Sequence, residues 1–234
     1  MIRTAFWRAL RHAGLLPVTP YHLLDVPDHA AAWPYTFYCP SETLLSAVGE
    51  NDQVQLHLIY TKKPWLRYSG ERLWFRVVER LGDAFVGELL NQPCDMIGLE
   101  KGAHIPFGAN HIANVVVRDG LKMDDGDGLD RYAGGCLVSR SIMEGAPVFR
   151  VARQNSVEKP GVTLPDTGWL VLAEDFSETE LFSDGSLVTR SLGAVLNLDD
   201  RWHHLLDEPA GEQFQWCTAK GEFVRLEPFD PAVP

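Results

Sequence analysis

The 234 residues include 45% hydrophobic and 10% aromatic side chains, enough apolar surface to fill packed cores and to exclude wholesale disorder. Lysine and arginine total 21 against 32 aspartates and glutamates, a formal net charge of −11 that repels phosphate backbones and argues against nucleic-acid partners. The length suits one large domain or two of about 100 to 130 residues.

The acidity is spread along the chain and is heavier in its second part. Up to Asp130 there are 12 basic and 16 acidic residues, net −4; from Arg131 onward there are 9 and 16, net −7. Simple solubility accounts for such a surplus, and so does a basic protein partner. Cys39, Cys94, Cys136 and Cys217 lie 55, 42 and 81 positions apart without a CxxC pair, which matches neither a disulfide scaffold nor a zinc ribbon. No apolar run reaches the roughly 18 residues of a membrane span, and Arg3, Arg8 and Arg11 interrupt the N-terminal apolar positions. The expected compartment is the cytoplasm, with no membrane association.

In chain order, Ile2, Phe6, Leu10 and Ala13 recur at helical spacing and predict a short amphipathic helix that stops at Gly14 and Pro17. Pro34 to Pro40 brackets an aromatic stretch, WPYTFYC, that suits extended backbone. Ser41 offers an N-cap to a helix over Glu42 to Val48, and Gly49 occupies the position of a C-terminal glycine. The period then changes to two. Val54, Leu56, Leu58 and Tyr60 alternate with their neighbours, and the segments 72–79 and 84–90 flank a Leu81-Gly82-Asp83 turn, predicting a β-meander that continues through Ile112 to Val117.

Within it, ERLWFRVVERLGDAFVGELLNQP, LEKGAHIPF and HIANV resemble the bacterial domain of unknown function twenty-three fourteen. Asn91, Pro93 and Gly102 match that family's pattern, whereas Ala103 stands for its usual Asp and Val115 for its usual Trp. The resemblance implies a small β-rich domain and no established chemistry.

The stretch DGLKMDDGDGLDRYAGG is dense in Asp and Gly and reads as a linker over 124–135. A calcium loop starting at Asp125 places Leu129 at the fifth position and Asp130 where glycine is required, so the linker is the better reading. Beyond it, strands are predicted at Cys136 to Ser139, Pro147 to Arg153, Trp169 to Ala173 and Ala194 to Leu198. Asp199 or Asp200 then caps a helix through Leu206, and Gln213 to Cys217 with Glu222 to Leu226 forms a hairpin.

In this half GGCLVSRSIMEGAPVFRVARQ, LPDTGWLVLAEDFSETE, LGAVLNLDDRWHHLLDEPAGEQFQW and GEFV resemble the domain of unknown function twenty-one eighty-five, an immunity-protein-like bacterial family. Cys136, Val138, Ser139, Val148, Arg153, Asp166, Gly168, Trp169, Asp175, Asn197, Asp199, Gly211 and Phe214 fall on its pattern, with Thr167 in place of Ser and Asp200 in place of Pro. The resemblance implies a protein that binds and blocks a toxin or effector.

The expected fold class is α+β: two small β-rich domains, each a twisted antiparallel sheet or partly open barrel with one or two packed helices. The first covers 1–123 and the second 136–234. For chemistry, His104 and His111 flank a turn, while His203 and His204 are adjacent and diverge by about 100° on a helix. Neither pair has an evident third ligand, so no metal and no cofactor is expected. Cys136 opens an apolar strand, where burial is the ordinary explanation, and the chain has no Walker, nucleophile-elbow or dinucleotide fingerprint. No catalytic residue is expected.

One cluster remains. Asp166 and Trp169 stand before Glu174, Asp175, Glu178 and Glu180, setting an aromatic anchor beside carboxylates able to meet a basic partner. Burial of Trp169 in a core is the competing reading. The sequence therefore favours a non-enzymatic, immunity-type binding protein. The alternative is a small enzyme or small-molecule binder with a site in an inter-domain cleft, drawing on His104, His111 or Cys136.

Overall fold

A computed structural model describes residues 19–61, 69–116, 128–156, 164–176 and 185–226. The N-terminal helix, the calcium-loop alternative at Asp125, and Glu178 and Glu180 lie outside these. The fold is β-rich α+β, with twelve strands in two six-stranded sheets among the described residues. By contacts the chain forms two compact units, residues 1–31 with 38–127 and residues 32–37 with 128–234. No helix among the described residues is long and apolar enough to cross a membrane.

The first unit is built on β2 (Gln53–Tyr60), whose alternating Val54, Leu56, Leu58 and Tyr60 are buried. One edge of β2 carries β3 (Gly70–Leu81). The other edge is shared end to end: β1 (Tyr21–Leu23) covers Leu58 to Tyr60, and β6 (Ile112–Val116) covers Gln53 to Leu56. Strands β4 (Ala84–Leu89) and β5 (His104–Gly108) extend the sheet from β3. A single 3-10 turn, Ala109–His111, then returns the chain from β5 to β6 against β2, so the sheet curls into a partly open barrel. Two short helices, α1 (Val26–Ala32) and α2 (Glu42–Ala47), lie in the chain between β1 and β2.

The curl requires close packing inside. A Cβ on Gly87 would stand 2.8 Å from the Phe107 ring, which stacks on Phe85 with centroids 5.5 Å apart. Ser41 caps α2 as its sequence predicts, accepting from the Leu44 N–H at 3.2 Å. Gly49 is not the left-handed residue after that helix, however. Asn51 takes that conformation with φ 71°, while Gly49 donates its N–H to the buried Asp52 carboxylate at 2.7 Å.

The β4–β5 connection is held by one carboxylate. Glu71 accepts from the backbone N–H groups of Cys94 (2.7 Å), Asp95 (2.8 Å) and Met96 (3.0 Å), and from the Tyr60 hydroxyl. Burial by itself would raise its pKa, but the Tyr60 hydroxyl and the three N–H groups outweigh it and hold the carboxyl below its ordinary value.

The second unit has the strand order β10-β7-β9-β8-β11-β12. Its strands are β7 (Gly135–Ser139), β8 (Arg150–Arg153), β9 (Asp166–Leu172), β10 (Leu187–Ser191), β11 (Gln213–Cys217) and β12 (Glu222–Arg225). Only the β7–β9 pairing is parallel. Val138, Val151, Trp169, Val171 and Phe214 point into one core, closed by Leu192, Val195, Leu196, Trp202 and Leu205. A four-residue helix, α3 (Arg140–Met143), follows β7.

Two expectations change here. Ala194 to Leu198 is not a strand: Leu192–Leu196 forms a helix, α4, capped by the Ser191 hydroxyl. An apolar run this short cannot define its own period, and burial of Leu192, Val195 and Leu196 at helical spacing decides it. The helix expected through Leu206 is a 3-10 turn, His203–Leu205. The polar strand β10 has no sequence signature, and the described part of the expected linker, from Gly128, forms a 3-10 turn at Leu129–Tyr132 before β7 begins at Gly135.

The first unit should lose stability in acid in two stages. Burial, with the charges of Arg72 and His29, pushes the His57 imidazole down to about 4. An unfolded histidine takes up its proton near pH 6.5, so the His57 contribution is complete above that value and is lost by about pH 4. The depressed Glu71 carboxyl contributes above the ordinary glutamate pKa, and that contribution disappears as pH falls through its lower folded value. Hydrogen exchange of β2 and β3 amides against pH should show both stages, with His57→Gln flattening the upper and Glu71→Gln the lower.

Candidate functional site

Of the residues singled out from sequence, the described ones do not form one patch. Asp166 and Glu174 are eight positions apart along and just beyond β9, which at strand rise separates them by about 25 Å. Asp166 is exposed and turns its carboxylate onto the Gly168 N–H at 2.9 Å. Gly168 has φ +76°, and a Cβ there would meet the Gln154 carbonyl at 2.1 Å, so this turn admits only glycine. Trp169 is 2% exposed, edge-on to Trp202 at 5.4 Å, with the Arg153 guanidinium 5.2 Å from its ring centroid. It is a core residue and presents no surface to a partner, because side chains alternate along β9 and its position faces inward with Val171. Glu174 and Asp175 are exposed beyond the strand, and Asp175 accepts from the Ser141 hydroxyl at 3.2 Å.

Cys136 is 1% exposed, and burial, reinforced by the charge of Asp166, pushes its thiol up to about 12. It is held as a thiol rather than a thiolate nucleophile. His104 is exposed at the start of β5, while the His111 Nδ1 accepts from the Gly108 N–H at 3.0 Å, committing that nitrogen to a backbone bond. His203 meets the Tyr132 hydroxyl through Nε2 at 2.8 Å, and His204 is exposed. Among the described residues no group of three or more His, Cys, Asp or Glu side chains could hold a metal ion.

A different constellation forms where residues 32–37 lie on the second unit. Asn197, at the end of α4, grips this segment with both ends of its amide: Oδ1 accepts from the Tyr35 N–H at 3.2 Å and Nδ2 donates to Thr36 Oγ1 at 2.7 Å. A Cβ on Gly193 would stand 2.2 Å from the Tyr35 carbonyl, so the close approach depends on glycine in the helix. The Tyr35 ring packs against Tyr132 and His203, with centroids at 5.2 and 5.3 Å. Its hydroxyl donates to Asp200 Oδ2 at 2.9 Å. Burial first, then the Asp200 bond and charge, push the Tyr35 phenol up to about 12, which keeps the proton on the donor.

The two neighbouring aspartates have opposite roles. Asp199 accepts from the Val148 N–H at 2.9 Å and takes Arg201 at both oxygens, at 2.8 and 2.6 Å. Burial alone would raise its pKa, but Arg201 and the backbone donors hold the carboxyl below its usual value. Arg201 is engaged through Nε and Nη2: it also donates to the Val148 carbonyl at 3.0 Å and lies 4.1 Å from the Trp216 ring centroid. Asp200 is exposed and, among the described residues, pairs with no cation. Between these groups is an open hollow of about 270 Å³ lined by Pro34, Tyr35, Leu196, Asn197, Leu198, Asp199 and Asp200.

Sequence reasoning missed this assembly because its parts are some 160 positions apart. The one local signal was Gly193 inside an apolar helical run, where glycine costs stability unless another backbone comes close.

Two outcomes follow. Gly193→Ala should displace residues 32–37, costing about 1–3 kcal/mol in urea unfolding and releasing the Tyr35 ring from its neighbours, visible as a change in the Tyr35 and Tyr132 ring resonances. In alkylation of the native protein near pH 7.5, the exposed Cys94 should be labelled first and Cys136 only after unfolding. No protein-family model matches the chain, and no curated protein or solved structure is detectably similar to it.

Proposed function

We propose that this is a non-enzymatic, immunity-type binding protein of the cytoplasm that neutralises a basic toxin or effector through the acidic surface of its second unit. The observation that carries the reading is a set of exposed carboxylates there. Glu144, Glu174, Asp175, Asp200 and Glu222 are exposed and, among the described residues, form no ion pair. Other acids of that unit are neutralised internally: Asp199 by Arg201, Asp207 by Arg131, and Glu208 and Glu212 by Arg225.

Unneutralised carboxylates in a chain of net charge −11 steer a cationic surface into contact and repel nucleic acid. Such charges contribute mainly to association rate and orientation. The resemblance of Gly134 to Val224 to an immunity-protein-like family supports the same reading. Trp169 has no part in it, since it lies in the core.

The test is co-expression with the product of the adjacent reading frame, followed by measurement of growth and of complex formation at two ionic strengths. Rescue of growth, with association slowing steeply as salt rises, is the expected result. A toxic neighbour that the protein neither binds nor neutralises would refute the reading.

A further inference from the structure

The hollow on the second unit has the chemistry of a receptor for one kind of side chain. Its rim combines an exposed aliphatic group, Leu198 at 48% exposure, with Pro34 and the half-buried Tyr35. Its acidic group is Asp200, which holds the Tyr35 hydroxyl through Oδ2, while no hydrogen bond from the described residues reaches its Oδ1. The nearest cation in sequence, Arg201, is occupied by Asp199, the Val148 carbonyl and Trp216. The lining also includes the C-terminal end of α4, where carbonyl groups favour positive charge. All the lining residues belong to the same compact unit.

Resting on the binding role proposed above, we infer that this hollow receives an arginine side chain from a basic protein partner. The methylene stem lies against Leu198, Pro34 and Tyr35, and the guanidinium pairs with Asp200. Arginine suits the site better than lysine because its planar fork can satisfy a carboxylate and a neighbouring carbonyl together, and because a guanidinium gives up its hydration more readily. Asn197 already uses one acceptor position on the Tyr35 N–H and one N–H on Thr36. Its contribution is to hold the rim in place.

The experiment is an amide NMR titration of the whole protein with a capped peptide containing one arginine between two leucines, beside the same peptide with citrulline, the neutral isostere of arginine. The arginine peptide is expected to shift the Leu198 and Asp200 amides and the Asn197 side-chain amide, and the citrulline peptide to bind about tenfold more weakly. Asp200→Asn, which retains an oxygen for the Tyr35 hydroxyl, should reduce arginine-peptide binding by a similar factor without altering the spectrum of the core. Leu198→Ser, at an exposed position, should weaken it by about threefold.

Equal binding of the two peptides, undiminished binding by Asp200→Asn, or shifts centred on Glu174 and Asp175 would overturn the assignment. So would the absence of any shift at millimolar peptide. If a salt-sensitive complex with the basic partner survives Asp200→Asn unchanged, the hollow is wrong while the acidic-surface role stands. If the unsubstituted protein forms no such complex, the broader role fails as well.

Discussion

Three polar side chains among the four residues that follow α4, Asn197, Asp199 and Asp200, organise the second unit. Asn197 spends its amide on the Tyr35 N–H and the Thr36 hydroxyl; Asp199 spends its carboxylate on Val148 and Arg201; Asp200 divides its own between Tyr35 and solvent. The turn can do this because Leu192, Val195 and Leu196 anchor the helix in the core and fix where it ends. Residues 32–37 reach it only because Gly193 has no side chain to keep the Tyr35 carbonyl away. An aspartate that belongs to the scaffold thus stands next to one whose charge remains available, and burial and pairing distinguish them.

The first unit uses a carboxylate in the opposite way. Glu71 is enclosed by Tyr60 and three successive backbone N–H groups, so its charge closes a loop and is not available to a ligand. An internal acceptor of this kind compensates the desolvation of the carboxylate with several charge-assisted bonds. The acidic composition of the chain therefore divides into carboxylates that stabilise the fold and carboxylates that project a field, a division that net charge alone conceals.

The alternation of Val54, Leu56, Leu58 and Tyr60 was enough to identify β2, and Ser41 was enough to start α2, because each depends on neighbours within a few residues. The Gly82-Asp83 turn between β3 and β4 and the hairpin of β11 and β12 were legible for the same reason. The signals failed where the run was short or polar. Five apolar residues after Ser191 fit strand and helix alike, and Leu187–Ser191 has too few inward apolar positions to declare itself a strand. Trp169 illustrates the limit at the level of function: an aromatic residue beside acids reads as an anchor until the pleat assigns its face.

What the sequence determined by itself was local and compositional: the β-rich α+β class, the acidity, the capped helix and the turns whose residue types admit few other conformations. Tertiary structure decided which strands meet, as in the return of β6 to β2 and the parallel pairing of β7 with β9. It also decided which charges remain in water. Glu71 and Asp199 acquire backbone donors from distant strands and turns, whereas the Asp200 carboxylate receives only the neutral Tyr35 hydroxyl among the described residues, and Tyr35 crosses more than 160 positions to line the hollow beside it. Side-chain chemistry is written residue by residue, but desolvation and pairing depend on neighbours that only the folded chain supplies.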